Sequence, residues 1–106
     1  MRKPRVLVVD DESLVLNMLG DFFKMRGYEV LSKADPTAAC CLQGRSGLCT
    51  YFDPCADIVL TDFKMPGLNG VELLERQREK GCPIDSRNKA VISAFIDELN
   101  RKNLQE

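Results

Sequence analysis

Residues 6–12 read VLVVDDE, a run of four apolar residues that ends abruptly in three acidic ones. The apolar residues do not alternate with polar ones, which predicts a strand that is buried on both of its faces. Such strands are typical of parallel sheets, because helices cover both faces of a parallel sheet. The stretch therefore favours an α/β protein built around a buried parallel sheet.

The rest of the chain alternates between short apolar runs and segments with helical spacing. Apolar residues from Val15 to Met25 repeat at the helical period, and Gly27 is placed to end that helix. Further strands are predicted over 28–31, 57–61 and 90–93, further helices over 35–44, 71–80 and 96–104, and a long connection over 44–56. This β-α-β-α-β-α-β-α order predicts one α/β domain with a parallel sheet and right-handed crossovers.

Composition limits the functions that this chain can have. Its 106 residues include 15 Lys and Arg against 16 Asp and Glu, for a formal net charge of −1. This balance gives no electrostatic reason to expect a nucleic acid or a membrane surface as a direct partner. The chain contains no histidine, which excludes Ser-His-Asp and Cys-His catalysis and histidine-ligated metals within it.

Cysteine usage and the apolar runs bear on where the protein works. The five cysteines, at positions 40, 41, 49, 55 and 82, are odd in number and form no C-x-x-C pair. This pattern favours reduced thiols over a zinc site or a disulfide framework. The apolar run after the basic N-terminal residues is too short for a signal peptide or a membrane span. We therefore expect a cytoplasmic protein.

Three carboxylates fall at the predicted ends of strands. Asp10 and Asp11 follow the first strand, and Asp62 follows the third. Ligands of open parallel sheets bind beyond the carboxyl ends of the strands, so these acids converge if the two strands are neighbours. Two carboxylates about 4 Å apart repel each other by about 4 kcal/mol at an effective dielectric constant near 20. A cation or a shared proton must then neutralise the cluster, and its hard oxygen ligands favour Mg²⁺.

Three sequence blocks carry a family resemblance. They are VLVVDDE at 6–12, DIVLTDFKMPGLNG at 57–70 and VISA at 91–94. In this order they resemble the signature blocks of response-regulator receiver domains, the phosphoacceptor part of two-component signalling. The resemblance covers essentially the whole chain. It implies a flavodoxin-like open parallel sheet with helices on both faces and strand order 2-1-3-4, with the fifth strand of the family missing from this chain.

The resemblance also implies roles for individual residues. Asp62 is the implied phosphoacceptor, and its nucleophilic carboxylate fits the formation of an aspartyl phosphate. Asp11 is implied as a direct ligand of Mg²⁺ (or Mn²⁺), Asp10 as a ligand that acts largely through water, and the backbone carbonyl of Lys64 as a further ligand. Ser93 is the implied switch hydroxyl that turns toward the phosphoryl group. Ala94 is the implied small neighbour that admits the phosphodonor.

Two features depart from the family pattern. Receiver domains carry a lysine at the end of the fifth strand, and no lysine of this chain stands in that context. Residues 1–106 are therefore interpreted as a receiver domain that is incomplete at its C-terminus, and the 44–56 connection is longer than usual for the family. Without a fifth strand, the fourth becomes a sheet edge with unpaired backbone groups. This predicts that the chain associates through that edge, exchanges elements between copies or is only marginally stable.

The leading hypothesis for function is a regulatory phosphoacceptor module rather than an enzyme. Its implied phosphodonor is a sensor histidine kinase or a phosphotransfer protein, and its implied output is an altered interaction with a partner or an effector domain outside this sequence. A receiver-like interaction domain that is not phosphorylated is the alternative. An aspartate-dependent phosphatase is a third reading, but its chemistry requires a second Asp two residues after the nucleophile, where this chain has Lys64.

Overall fold

The computed structural model describes residues 3–36 and 55–92 of the chain. The strands are β1 Arg5–Val9, β2 Glu29–Lys33, β3 Ile58–Asp62 and β4 Lys89–Ile92. The helices are α1 Ser13–Met25 and α2 Gly70–Glu79, with a short 3₁₀ helix, Ser86–Asn88, before β4. These elements lie close to their predicted positions. Most of the helix predicted over 35–44, the helix predicted over 96–104 and most of the 44–56 connection lie outside the described residues.

The four strands form one parallel sheet in the order β2-β1-β3-β4. β1 pairs with both β2 and β3, so that Val6 lies between Val30 on one side and Ile58 on the other. β3 pairs in turn with β4, with Asp62 opposite Ile92. The predicted strand order is therefore confirmed. It reverses between β1 and β3, which makes the carboxyl ends of these two strands the natural position for a site.

β1 is the centre of the core, as its uninterrupted apolar run predicts. The side chains of Val6 and Val8 pack with α1, whereas those of Leu7 and Val9 pack on the opposite face with Leu73 of α2. All four residues from Val6 to Val9 are almost completely buried. The sheet thus has one helix against each face within the described residues, and the buried central strand fixes the position of the acids that follow it.

α1 has more apolar residues than its packing face can bury. Its inward face is formed by Leu16, Leu19, Gly20 and Phe23, which are buried or half-buried. A second set of apolar residues lies on the outward side at helical spacing, and we call it the apolar stripe of α1: Leu14, Met18, Phe22 and Met25. Exposures of 63% for Met18 and 84% for Met25 show that this stripe contributes little to the core. The helical period is confirmed, but the sequence alone did not separate the two sets.

Two of the five cysteines fall in the described part of the chain. Neither Cys55 nor Cys82 forms a disulfide bond, and each is half-buried against the core on the α2 side of the sheet. They agree with the prediction of reduced cysteines that pack as small apolar residues. The cysteines at 40, 41 and 49 lie outside the described residues.

Candidate functional site

Three carboxylates meet where β1 and β3 end. Asp10 and Asp11 follow β1 directly, and Asp62 is the last residue of β3. Because β1 and β3 are parallel neighbours, with Val9 opposite Thr61, the residues at their carboxyl ends come together. One oxygen of each carboxylate lies within 4.8 Å of the other two. The structure therefore brings together the three acids that the sequence singles out.

Asp10 is fixed by the backbone around it. Its side chain is only 5% exposed, and its Oδ1 accepts a hydrogen bond of 2.9 Å from the backbone N–H of Glu12. Its own N–H donates to the carbonyl oxygen of Lys33 in β2 at 3.1 Å. The carboxylate of Asp10 thus has a defined orientation at the floor of the site, whereas Asp11 and Glu12 are exposed at its rim.

Asp62 is held by contacts to its side chain and to its backbone. The Phe63 N–H donates to Oδ1 of Asp62 at 2.9 Å and also to the carbonyl oxygen of Ile92 at 3.1 Å. The hydroxyl of the buried Thr61 donates to the backbone carbonyl of Asp62 at 3.0 Å. These bonds fix the end of β3 and connect the Asp62 carboxylate, through a shared donor, with the end of β4.

α2 begins beside Asp62 and closes the loop that follows it. Asn69 caps the helix: its side chain accepts from the Glu72 N–H at 2.8 Å, and the Glu72 side chain accepts from the Asn69 N–H at 3.0 Å. This reciprocal pair is a capping box. The Gly70 N–H donates to the carbonyl of Phe63 at 2.8 Å. The 63–69 loop is therefore anchored at both ends next to the carboxylate cluster.

Burial and like charge make ionisation of the cluster unfavourable. Burial is the main cause that raises the pKa of Asp62 above its ordinary value, and the charge of Asp10 adds to it. Burial also raises the pKa of Asp10, and the neighbouring Asp11 adds to this effect, while the bond from the Glu12 N–H opposes it. Such shifts are typical of sites that bind a cation or carry chemistry.

The donor set fits a hard divalent cation. The cluster offers carboxylate oxygens from three residues, and burial, together with the like charges of neighbouring acids, raises the pKa of two of them, Asp10 and Asp62. Mg²⁺ prefers oxygen ligands and is usually bound through one or two carboxylates together with waters and phosphate oxygens. Asp10, Asp11 and Asp62 therefore meet the requirement in ligand type and in mutual proximity.

A cleft of about 450 Å³ opens beside the cluster, and its lining residues are Asp11, Glu12, Lys64, Met65 and Pro66. Lys64 is exposed there, whereas Met65 is buried and packs into the α2 side of the core. The cleft opens the cluster to solvent on the side of Asp11. Lys64 thus lies at the site, and the role of its backbone carbonyl as a ligand stays a prediction.

Some site residues were missed by the sequence reasoning, and others cannot be placed. Ser93 and Ala94 lie outside the described residues, directly after β4. Thr61, Asn69 and Gly70 were not singled out from the sequence, although each contacts or anchors the end of β3. The N-x-x-E spacing of Asn69 and Glu72 is a readable capping signal. The close approach of Gly70 to Asp62 depends on tertiary packing and has no local signal.

Fold and site together define a class of protein: an open parallel α/β domain with an acidic site at the point where its strand order reverses. A model of the response regulator receiver domain family matches residues 6–103, which is most of the chain. The chain belongs to this family. Receiver domains are regulatory, which agrees with the expectation of a module that is not an enzyme.

Individual relatives agree with this assignment. The chain is 35% identical to chemotaxis protein CheY of Thermotoga maritima, and the match covers 89% of this chain and 69% of that protein. It is also 35% identical to regulatory protein AtoC of Escherichia coli over 70% of this chain, which spans only 14% of AtoC. A crystal structure of a response regulator receiver domain protein from Clostridium thermocellum superposes with a TM-score of 0.62 at 27% identity, covering 94% of this chain and 75% of that one.

One further finding concerns membranes. Neither helix in residues 3–36 and 55–92 has the length and apolar character that crossing a bilayer requires.

Proposed function

We propose that this chain accepts a phosphoryl group on Asp62 and thereby changes its interactions with other proteins. The observation that carries the proposal is the convergence of the Asp10, Asp11 and Asp62 carboxylates within 4.8 Å at the ends of β1 and β3. Of these acids, Asp62 ends a strand and is only half-buried. Asp10 is more deeply buried and is already oriented by the Glu12 N–H.

The proposed chemistry is a direct transfer between two proteins. An oxygen of the Asp62 carboxylate forms a bond to the phosphorus of a phosphohistidine, and the phosphorus–nitrogen bond breaks. The imidazole nitrogen keeps the electron pair of that bond and takes up a proton. Since the chain has no histidine, the donor must be another molecule, which we propose to be a sensor histidine kinase or a phosphotransfer protein.

Asp10, Asp11 and Asp62 would hold Mg²⁺ or Mn²⁺, with the backbone carbonyl of Lys64 as a further ligand. When bound, the cation neutralises negative charge on the carboxylates and on the phosphoryl oxygens. The residues of the chain supply the rest: Asp10 is oriented by its bond from Glu12, and Asp62 by its bond from Phe63.

Ser93 and Ala94 complete the proposal. We assign to Ser93 the hydroxyl that binds the phosphoryl group, and to Ala94 the small side chain that leaves room for the donor. Support comes from the neighbouring residue, because Ile92 pairs with Asp62 and its carbonyl accepts the Phe63 N–H that Asp62 also uses. A change at the Asp62 carboxylate thus reaches the end of β4 through one shared donor.

The surface around Asp62 supports a protein as the donor. A groove of about 240 Å³ extends from Asp10 and Asp62 along α1, where Met18 and Leu19 line it together with Leu60 of β3. Met18 also belongs to the apolar stripe of α1. A protein that brings a phosphohistidine to Asp62 must cover part of this surface, and exposed apolar side chains at that place favour such a contact.

Phosphorylation would act on partners outside this sequence. The chain covers a small fraction of AtoC, so a receiver of this family can be one part of a much longer protein. We propose that the phosphoryl group on Asp62 changes the affinity of this domain for a partner or for an effector domain.

Mass measurement with a small phosphodonor tests the proposal. The protein is incubated with Mg²⁺ and a small acyl phosphate, and its intact mass is recorded. We expect one base-labile phosphoryl group on the wild type, none on Asp62→Asn, and one on the control Asp21→Asn, which changes an exposed aspartate of α1. A wild-type protein that takes up no phosphoryl group would contradict the proposal and favour the receiver-like interaction domain. Turnover of phosphoesters without an adduct would favour a phosphatase.

A further inference from the structure

The first residue of α2 lies directly against the backbone of Asp62. A Cβ atom at Gly70 would overlap the carbonyl oxygen of Asp62, and it would lie 3.1 Å from both the carbonyl carbon of Asp62 and Cγ2 of Thr61. Gly70 is not among the glycines with positive φ, which are Gly27, Gly67 and Gly81 in the described residues. Glycine is therefore required at position 70 for space, because any side chain would displace Asp62 or the helix.

The helix cannot easily move away to make room. Leu73, one turn further along α2, is completely buried in the core cluster that includes Leu7 and Val59. The helix start is also fixed by the Asn69–Glu72 capping box and by the bond from the Gly70 N–H to Phe63. Added volume at Gly70 is thus resisted on the helix side by a packed interior.

The end of β3 is the other side of the contact. The Asp62 carbonyl accepts the Thr61 hydroxyl at 3.0 Å, so this peptide group lies between a hydroxyl on its own strand and the first residue of α2. The Asp62 side chain begins at the same residue, and its carboxylate lies in the cluster with Asp10 and Asp11. A shift of the Asp62 backbone therefore moves the carboxylate relative to its two neighbours.

We propose that Gly70 is a positioning residue for Asp62: it lets α2 approach so closely that the helix and the Thr61 hydroxyl together fix the acceptor carboxylate. This inference rests on the proposed function of Asp62 as phosphoacceptor. Gly70 does not contact the phosphoryl group, and it acts only through the backbone of Asp62. Rates of group transfer depend steeply on such alignment, and a misplacement of about 1 Å can lower a rate by about 100-fold.

Gly70→Ala, with Gly20→Ala as the matched control, tests the inference. Gly20 is a buried glycine of α1, where a new Cβ would meet only Cγ1 of Val30 at 3.8 Å, an ordinary contact. Phosphorylation by a small acyl phosphate is followed at saturating Mg²⁺, well below the unfolding temperature. We expect the rate constant of Gly70→Ala to fall between about tenfold and 100-fold. The rate constant of Gly20→Ala should match the wild type.

A second readout separates positioning from mere stability. If Gly70 served only stability, its substitution would lower the melting temperature and leave the rate constant of the folded protein unchanged. We expect instead that the amide NMR signals of Asp62 and Phe63 shift in Gly70→Ala, while that of Phe23 in α1, which packs on the opposite face of the sheet, does not. A folded Gly70→Ala with the wild-type rate constant would overturn the inference.

Thr61→Val provides a test that does not depend on folding of Gly70→Ala. It replaces the hydroxyl that donates to the Asp62 carbonyl with a methyl group and keeps Cγ2, the Thr61 side-chain atom that faces Gly70. We expect a loss of rate that is smaller than for Gly70→Ala, since one of the two restraints remains. If Gly70→Ala does not fold, a wild-type rate in Thr61→Val overturns the inference. Failure of the proposed function looks different, because the wild type itself would then take up no phosphoryl group.

Discussion

Asp10 and Asp62 are carboxylates that the proposed site needs in the charged form, although burial in the folded protein disfavours that form. Folding raises the pKa of both carboxyls, chiefly by burial. The folded state therefore keeps protons at a pH where the unfolded chain has released them. The contribution of these two groups to the free energy of unfolding is fully present below the ordinary Asp pKa of about 3.9. This contribution is lost as the pH rises through the higher pKa of the folded state.

Replacement of Asp62 tests how far its buried charge destabilises the folded state. In Mg²⁺-free buffer at pH 7, Asp62→Asn should be more stable than the wild type, since the neutral amide avoids both the burial of a charge and the repulsion from Asp10 that raise the pKa of Asp62. At pH 4 the gain should be smaller, because a raised pKa leaves a larger fraction of the wild-type carboxyl protonated and uncharged there than at pH 7. Urea unfolding at both pH values measures the difference, with Asp21→Asn as the exposed control. A variant less stable than the wild type at pH 7 would contradict the electrostatic account.

Bound Mg²⁺ should offset the destabilisation that the buried charges of the cluster cause in the folded state. A ligand that binds only the folded state at 100 times its Kd adds about 2.7 kcal/mol to the free energy of unfolding. We expect a rise of this kind in the wild type and a much smaller one in Asp11→Asn and Asp62→Asn, because each variant loses a carboxylate of the cluster. Thermal unfolding with and without Mg²⁺ measures it. Equal stabilisation of all three proteins would place the cation elsewhere.

At the scale of elements, the periodicity of apolar residues predicted the strands and helices but not which side of each helix is buried. The VLVV run of β1 is buried as predicted, because a central parallel strand has no exposed face. In α1 the apolar residues cover two sides of the helix, and only tertiary packing decides that Leu16 is buried and Met18 is exposed. The approach of α2 to Asp62 likewise depends on the packing of Leu73 and could not be predicted from local sequence.

The apolar stripe of α1 carries a prediction about the phosphodonor. Met18→Lys should slow transfer from a phosphorylated histidine protein by tenfold or more, which corresponds to about 1.4 kcal/mol, because it places a charge in the contact surface. Phosphorylation by a small acyl phosphate should be unchanged. Leu31→Lys, an exposed apolar position on β2, is the control and should affect neither reaction. Equal loss with both donors would show damage to the site itself.

At the scale of the whole molecule, the sequence predicted the strand order and the convergence of the acids. The strand order was implied by the resemblance to receiver domains, and the acids converge because this order makes β1 and β3 neighbours whose carboxyl ends meet at one edge of the sheet. The positions of Ser93 and Ala94 relative to Asp62 stay predictions, since neither residue is described. The proposal of Asp62 as the acceptor among three neighbouring acids rests on the resemblance to receiver domains rather than on the geometry.

The edge of the sheet leads to a prediction about assembly. β4 is the terminal strand on its side of the described sheet, and its Ile92 side chain is 47% exposed. Because an apolar edge strand can pair with another chain, we expect concentration-dependent self-association. Ala90→Lys, at an exposed position of β4, should weaken it. Sedimentation over a range of concentrations measures this, and a wild type that stays monomeric throughout would contradict the prediction.

The central claim is that Asp62 carries the phosphoryl group, and chemical mapping tests it most directly. The protein is phosphorylated with a small acyl phosphate and Mg²⁺ and then reduced with borohydride, which converts an aspartyl phosphate to homoserine. Tandem mass spectrometry of the tryptic peptide that ends at Lys64 then identifies the altered residue. The account predicts homoserine at position 62 and unchanged aspartate at position 57. Homoserine at any other position, or at none, would contradict it.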